Sequence, residues 1–423
     1  MQERIFQVDK TSFFFQKALQ RAFLEDYAML LNGNTMSFPH GAFPKTIAFG
    51  SGKHLSVNSG NAFEALSKFH KNTILPIFGY IAYDLKNELE NLKSNNPDYV
   101  HFPDMFFFHP DTVIHFEEEG LRIISEHPET IFREIQIMEM NTEQGTELNE
   151  LKSRISKEKY LETVERIKQH IVEGDVYELN FCMEFFTESA KINPLDVYEK
   201  LNKLSPMPFS SLLKNKSNIL ISASPERFLK KTGKHLITQP IKGTVRRGNT
   251  KAEDEDLKEY LRNNEKEQAE NMMIVDLCRN DLAKSSIPGS VVVEELFGIY
   301  SFSHVHQMIS TVTSAIKPDL PWIEALKNAF PMGSMTGAPK IRAMELIEEF
   351  EQSKRGLFSG ATGYITANGD FDFNVVIRSI LYNEENNYLS FQAGSAITYD
   401  ADPEREYEEV LLKTKAIREA LFN

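Results

Sequence analysis

Cysteine is nearly absent from this chain. Cys182 and Cys278 are its two examples, far apart and with no metal-ligand spacing around either. That leaves no disulfide framework and no zinc site, and it fits a reducing compartment. Neither cysteine sits in a glycine-rich nucleophile elbow, so the sequence carries no glutaminase. Basic residues are in the minority, 47 Lys and Arg against 61 Asp and Glu, for a net charge of -14. Nucleic-acid binding needs a basic face that neutralises phosphates, so it is excluded, and any anionic ligand must be held by local cations. Long apolar runs are missing too. MQERIFQVDKTSFFFQKALQ at the N-terminus holds acidic residues and no apolar core, so it is not a signal peptide, and no later run approaches a membrane span. The expectation is a cytoplasmic protein. No short repeat period is visible.

What is present is the composition of an ordinary globular protein, 41% hydrophobic and 11% aromatic in 423 residues. That length suggests two or three domains, or one large mixed fold. The clearest shift in composition is MEMNTEQGTELNELKSR, residues 138–154, polar and poor in aromatics. It reads as a linker between an N-terminal region, 1–140, and a second region, 155–423. Beyond it, Leu161, Val164, Ile167 and Ile171 recur at helical spacing, with Ser156 as N-cap and Gly174 as the stop. That helix delivers the strand-like run YELNFCMEF.

Four stretches carry candidate chemistry. In QPIKGTVRRG, residues 239–248, Lys242 follows what reads as the end of a buried strand, where a lysine is either costly or useful. From Glu253 the sequence reads as one long helix in which Glu267 and Glu270 share a face. A solvated acidic stripe is the usual fate of such charges, but the apolar MMIVDLC that follows implies a buried end. From Asp402, an N-cap followed by Pro403, a second helix brings Glu406, Glu409 and Lys413 within roughly 60° of one another. A plain i,i+4 ion pair between Glu409 and Lys413 accounts for that spacing; acid pairs on two helices that meet form an oxygen-rich magnesium site. In GYITANGDFDFNVVIRS, Asn368-Gly369 signals a type I′ hairpin whose second strand ends at Arg378. Arg378 is read either as a partner of an internal acid or as a fork for a substrate carboxylate. QAGSAIT offers small residues whose amides suit an anion.

Together SPERF (224–228), PIKGT (240–244), AENMMIVDLCRNDL (269–282), GSMTGAPKIRAMELI (333–347), GATGYIT (360–366), VVIRS (375–379) and EYEEVLLKTKA (406–416) resemble, in order and spacing, the chorismate-utilising enzymes. That family includes the component I chains of anthranilate synthase and aminodeoxychorismate synthase, isochorismate synthase and salicylate synthase. The resemblance covers essentially everything from residue 155 onward. It implies an α/β (α+β) fold, layered sheets forming a deep cleft with helices outside. It also implies magnesium held by Glu270 and Glu409, with Glu267 and Glu406 behind them. By the same resemblance Arg378 and Tyr364 hold the enolpyruvyl carboxylate, and Gly243, Thr244, Thr336, Gly394 and Lys413 line the chorismate pocket. Glu226 matches the general acid that protonates the departing C4 hydroxyl, a poor leaving group without a proton.

Lysine in PIKGT resembles the aminodeoxychorismate synthase branch, where it attacks C2 before ammonia enters at C4; anthranilate synthases have alanine there. Burial is expected to keep Lys242 neutral and nucleophilic. The implied reaction is chorismate plus ammonia to 4-amino-4-deoxychorismate, toward 4-aminobenzoate and folate, with ammonia from a glutamine amidotransferase subunit. The alternatives are an anthranilate synthase component I and a catalytically silent chorismate-binding regulator; retention of Glu226, Lys242 and the acidic pairs argues against the latter. Four departures stand out. Gln307 replaces a frequent histidine and cannot transfer protons. Glu178 stands where ammonia users carry glutamine and water users lysine. Ala396 stands where glycine is common. No LLES-type segment, the tryptophan feedback site of anthranilate synthases, is found near the N-terminus.

Overall fold

A computed structural model describes residues 1–8, 11–118, 120–140 and 145–422. Residues 141–144, part of the polar stretch read as a linker, lie outside them. The described strands form two large sheets, one of twelve strands and one of ten, and every pairing between named strands is antiparallel. The fold is therefore mixed α and β in its α+β form. Both sheets draw strands from either side of the polar stretch. Tyr27–Asn32 pairs with Phe209–Asn215 in the larger sheet, and Ile77–Ile81 pairs with Ala361–Ile365 in the smaller. Among the described residues no helix is long and apolar enough to cross a membrane.

Local chemistry explains the helices that matter here. Helix Lys157–Val172 starts where the Ser156 hydroxyl accepts from the Lys159 amide, and Gly174 follows its end at φ +85°. The final helix, Pro403–Phe422, starts where Asp402 accepts from the Arg405 amide at 3.0 Å. The single long helix expected from Glu253 is instead two, Lys251–Asn263 and Glu265–Ser285. Asn264 turns out of helical geometry with ψ 111°, and its side chain caps the amide of Glu267, so the second helix has its own N-terminus. Strand Glu178–Thr187 is buried along its whole length, which explains why it reads as nearly continuous apolar sequence.

Two further expectations are corrected. The Asn368-Gly369 hairpin exists, but its ladder ends at Ile365–Phe371, leaving a five-residue loop. Gly369 is left-handed at φ +78°, Asn368 is not, and the Gly369 amide donates to the Thr366 carbonyl. A type I′ turn needs positive φ at both central residues, so this is a longer loop closed by one left-handed glycine. Arg378 does not end a strand either. The strand stops at Val375, and Arg378 lies in the connection to Ser379–Asn383 with φ +53°.

That connection is one of several seams between the sheets, and two of them matter here. The chain passes from the larger sheet to the smaller at residues 225–226, between Asn218–Ser224 and Arg227–Thr232, and returns at 376–378. The seams are joined to each other: the Val375 amide donates to the Glu226 carbonyl at 3.0 Å, and the Ala223 amide to the Arg378 carbonyl at 3.1 Å. Beside them the fully buried Arg227 donates to both oxygens of Asp372 at 2.8 and 3.0 Å. A buried ion pair without its partner would be strongly destabilising, so this one fixes the strand that leaves Glu226.

Candidate active site

The first seam gives Glu226 its chemistry. Its side chain is buried and Oε1 accepts from the Ser334 hydroxyl at 2.6 Å. Burial pushes the carboxyl up to about 7, against the opposing pull of Ser334, Lys242 and Lys413. A carboxylic acid poised near neutrality can donate a proton at working pH. Ser334, in the short turn Gly333–Met335, was not singled out from the sequence; no spacing rule links it to a residue 108 positions away.

Lys242 differs from expectation. It is largely enclosed rather than fully buried, and its Nζ lies 2.6 Å from Oε1 of Glu178, with side-chain exposures of 10% and 1%. Burial alone would lower the amine; Glu178, Glu270 and Glu409 outweigh it and hold Lys242 well above the ordinary lysine value. The neutral amine expected from burial is thus an ammonium in a salt bridge, because opposite charge beats desolvation here. The residue that makes the difference, Glu178, was noted in the sequence only as a departure.

Gly243, next in the chain, has φ +89°, and a Cβ on it would meet Glu267 Oε2 at 3.0 Å and Met308 Cβ at 3.3 Å. It brings the Lys242 strand against helix Glu265–Ser285. Glu267 and Glu270 on that helix approach Glu406 and Glu409 on Pro403–Phe422 through Lys266. Its Nζ lies 3.7 Å from Glu270 Oε1 and 3.6 Å from Glu406 Oε1. Burial pushes Glu270 up to about 7, opposed by Lys242 and reinforced by Glu178 and Glu267. Burial and the Glu409 charge likewise raise Glu267 and Glu406. Glu409 moves the other way, held low by Lys413, whose Nζ lies 2.6 Å away. The i,i+4 pair therefore forms, and Lys413 also donates to the Gly394 carbonyl at 2.9 Å. The four acids thus lie on two helices linked by Lys266, but among the described residues they do not form a group of three whose ligand atoms all lie within 4.8 Å of one another.

Arg378 donates to the Lys413 carbonyl at 3.2 Å and has no acidic partner within salt-bridge distance among the described residues. Burial lowers it to about 10, with Glu409 opposing. Of the two readings of Arg378, pairing with an internal acid is the one the structure does not support. Gly394 is required by close approach: a Cβ there would fall 2.4 Å from Cys182 Sγ and 2.5 Å from the Phe181 carbonyl. Thr336 is fully buried, and its hydroxyl donates to the Met332 and Gly333 carbonyls. Its own carbonyl accepts from the Asn180 amide, which ties the turn to the Glu178 strand. Thr244 is exposed and pairs with Gln307 across the sheet. Gln307 is buried with Oε1 unpartnered.

Tyr364 is not brought to this cluster. It sits opposite Asp372, three rungs from the Ala361–Val375 pair beyond which Arg378 lies, and its ring is tilted against Phe78 with centroids 6.1 Å apart. At about 3.3 Å per residue the phenol is on the order of 10 Å along the strand from the arginine's seam. Elsewhere His170, Glu173 and Asp175 have ligand atoms within 4.8 Å of one another, but Asp175 is already held by Arg342 at 2.8 Å.

Residues 28–419 match the model of the family described as chorismate binding enzyme. Aminodeoxychorismate synthase of Bacillus subtilis, component 1, is 35% identical over 362 residues, covering 81% of this chain and 76% of the relative. The chloroplastic aminodeoxychorismate synthase of Arabidopsis thaliana is 37% identical over 374 residues, 81% of this chain, which spans 40% of that longer protein. Anthranilate synthase component 1 of Aquifex aeolicus is 33% identical over 367 residues, covering 82% and 74%. Among solved structures, anthranilate synthase component I from Streptococcus pneumoniae superposes with a TM-score of 0.80 at 27% identity, covering 92% of this chain and 95% of that one.

Proposed function

This chain belongs to the chorismate-binding enzyme family, and we propose that within it the chain is an aminodeoxychorismate synthase component I, joining chorismate to ammonia to give 4-amino-4-deoxychorismate. The observation that supports this reading is Lys242, largely enclosed beside Glu178 and close enough to Glu270 and Glu409 to feel their charge, a lysine where the anthranilate branch has alanine. Relatives named anthranilate synthase are as similar to the chain as those named aminodeoxychorismate synthase. Overall likeness therefore favours neither branch, and the choice rests on that lysine.

In this reading Arg378 and Lys413 supply positive charge for the substrate carboxylates, which offsets the acidity of the whole chain locally. Glu226, protonated up to about pH 7, hands its proton to the C4 oxygen, which departs as water. Lys242 attacks C2 as the C4–O bond breaks, and ammonia then displaces it by attack at C4. Magnesium, held by Glu270 and Glu409 with Glu267 and Glu406 in support, would neutralise charge on the bound carboxylate. Gln307 lacks a titratable nitrogen, so no proton abstraction that would aromatise the ring is assigned to it. Ammonia comes from a separate glutamine amidotransferase, since neither cysteine is placed to act as a glutaminase nucleophile. Both thiols are buried and burial raises both to about 12.

The test is to incubate the chain with chorismate, magnesium and ammonium chloride and to identify products by mass. Aminodeoxychorismate without pyruvate is expected; anthranilate with pyruvate would overturn the reading. Without ammonia, the peptide containing Lys242 should gain the mass of dehydrated chorismate after rapid denaturation, and Lys242→Ala should not.

A further inference from the structure

Three acids are buried on or beside the strand Glu178–Thr187, and two of them are saturated. Glu184 accepts from Arg154 and from the Tyr388 hydroxyl, each at 3.0 Å. Glu351 accepts from the Cys182 amide at 2.9 Å and twice from Arg355. Glu178 is different. It is 1% exposed, its Oε1 takes one donor, Lys242 Nζ at 2.6 Å, and its Oε2 is buried without any hydrogen-bond partner.

We propose that Glu178 is the proton acceptor for Lys242, turning a resting ammonium into the attacking amine and giving the proton back when the lysine leaves. This rests on the reading of Lys242 as nucleophile. Three physical facts point to it. Nitrogen and oxygen are already at hydrogen-bond distance, so transfer needs no movement. Both groups are nearly dry; desolvation penalises each charge, so the neutral pair lies closer in energy to the ion pair than it would in water. And the second oxygen of Glu178 has no donor on it and so has lone pairs open to a proton, whereas both oxygens of Glu184 and of Glu351 are already occupied by donors. The other acids that support the Lys242 charge, Glu270 and Glu409, make no hydrogen bond with it.

The proton inventory closes. A proton passes from Lys242 Nζ to Glu178, and the freed electron pair forms the bond to C2. The ring double bond shifts as C4–O breaks, and the oxygen takes the Glu226 proton and leaves as water. Ammonia then bonds to C4, the C2–N bond breaks with its electrons returning to Lys242, and Glu178 restores the lysine proton. Glu226 recovers its proton from the new C4 ammonium. The sum is chorismate plus ammonia to the amino product plus water.

The experiment follows the Lys242 adduct, without ammonia and with magnesium present, in the parent, Glu178→Gln and Glu178→Ala, each first shown to unfold cooperatively. Adduct formation should slow on the order of a hundredfold in both variants, the range for loss of a positioned base. Sodium formate should restore the rate in Glu178→Ala, where it can occupy the vacated space, but not in Glu178→Gln. Formation in Glu178→Gln as fast as in the parent would overturn the proposal, since the lysine would then need no base. Slow formation in both without formate rescue would overturn it too, leaving Glu178 a structural partner. Absence of the adduct in the parent is a separate result that removes the nucleophile reading itself.

Discussion

Glu226 shows how one residue gets its function from position. Its sequence neighbours are ordinary, but the seam buries it, and burial moves its carboxyl up to about 7. The sign of the pH dependence follows. The working form of a general acid is protonated, so kcat/KM with ammonium in constant excess of free base should hold below about pH 7 and fall as pH rises through it. Glu226→Gln, which keeps the shape without the proton, should lose activity on the order of 10²-fold or more, with no falling limb. A pH–rate profile of parent and variant checks this; an unmoved limb in the variant would assign it to another group. Ser334 pulls the other way, so Ser334→Ala should move that limb upward.

At the scale of elements, helices Glu265–Ser285 and Pro403–Phe422 bring like charges near one another, and Lys266 lies between Glu270 and Glu406. If these acids hold magnesium, a chelator should abolish turnover. Magnesium should raise the Tm of the parent but not of Glu270→Gln combined with Glu409→Gln, because a ligand stabilises only the state that binds it. Full activity of both single variants in chelator would remove the magnesium assignment. The helices themselves were legible in the sequence where their signals are local: Ser156 and Asp402 sit at their caps, and Glu406, Glu409 and Lys413 share a face. The break at Asn264 was hidden because an asparagine inside an acidic run looks like any polar residue until its side chain is seen capping Glu267. What joins distant strands was not legible. The Glu178–Lys242 pair spans 64 positions and the Glu226–Ser334 bond 108, distances over which no periodicity speaks. Tyr364 shows the reverse case, a motif residue whose strand position carries it away from Arg378.

At the scale of the whole molecule, Lys242, Lys266 and Lys413 are each paired with acids of the site, so that Arg378, with no salt-bridge partner among the described residues, is the cation left for an anionic substrate in a chain of net charge -14. Added salt should therefore raise KM for chorismate more than it lowers kcat, measured over a range of ionic strengths. The isolated chain should use ammonium but not glutamine, and glutamine should serve only when an amidotransferase subunit is added; glutamine-dependent turnover by the purified chain alone would contradict the proposed division of labour.

The antiparallel pairing of Ile77–Ile81 with Ala361–Ile365 also sets a schedule for the ribosome. Tyr80 faces Thr362, and Tyr27 faces Asn215 in the other sheet. At roughly 5–20 residues per second, an early strand of the smaller sheet waits on the order of 15–60 s for its neighbour to be made. Through that interval Ile77, Phe78 and Ile81, buried in the finished protein, have one sheet edge unmatched. The yield of this chain on expression should respond to slower synthesis and lower temperature more than that of a protein whose sheets close in sequence order.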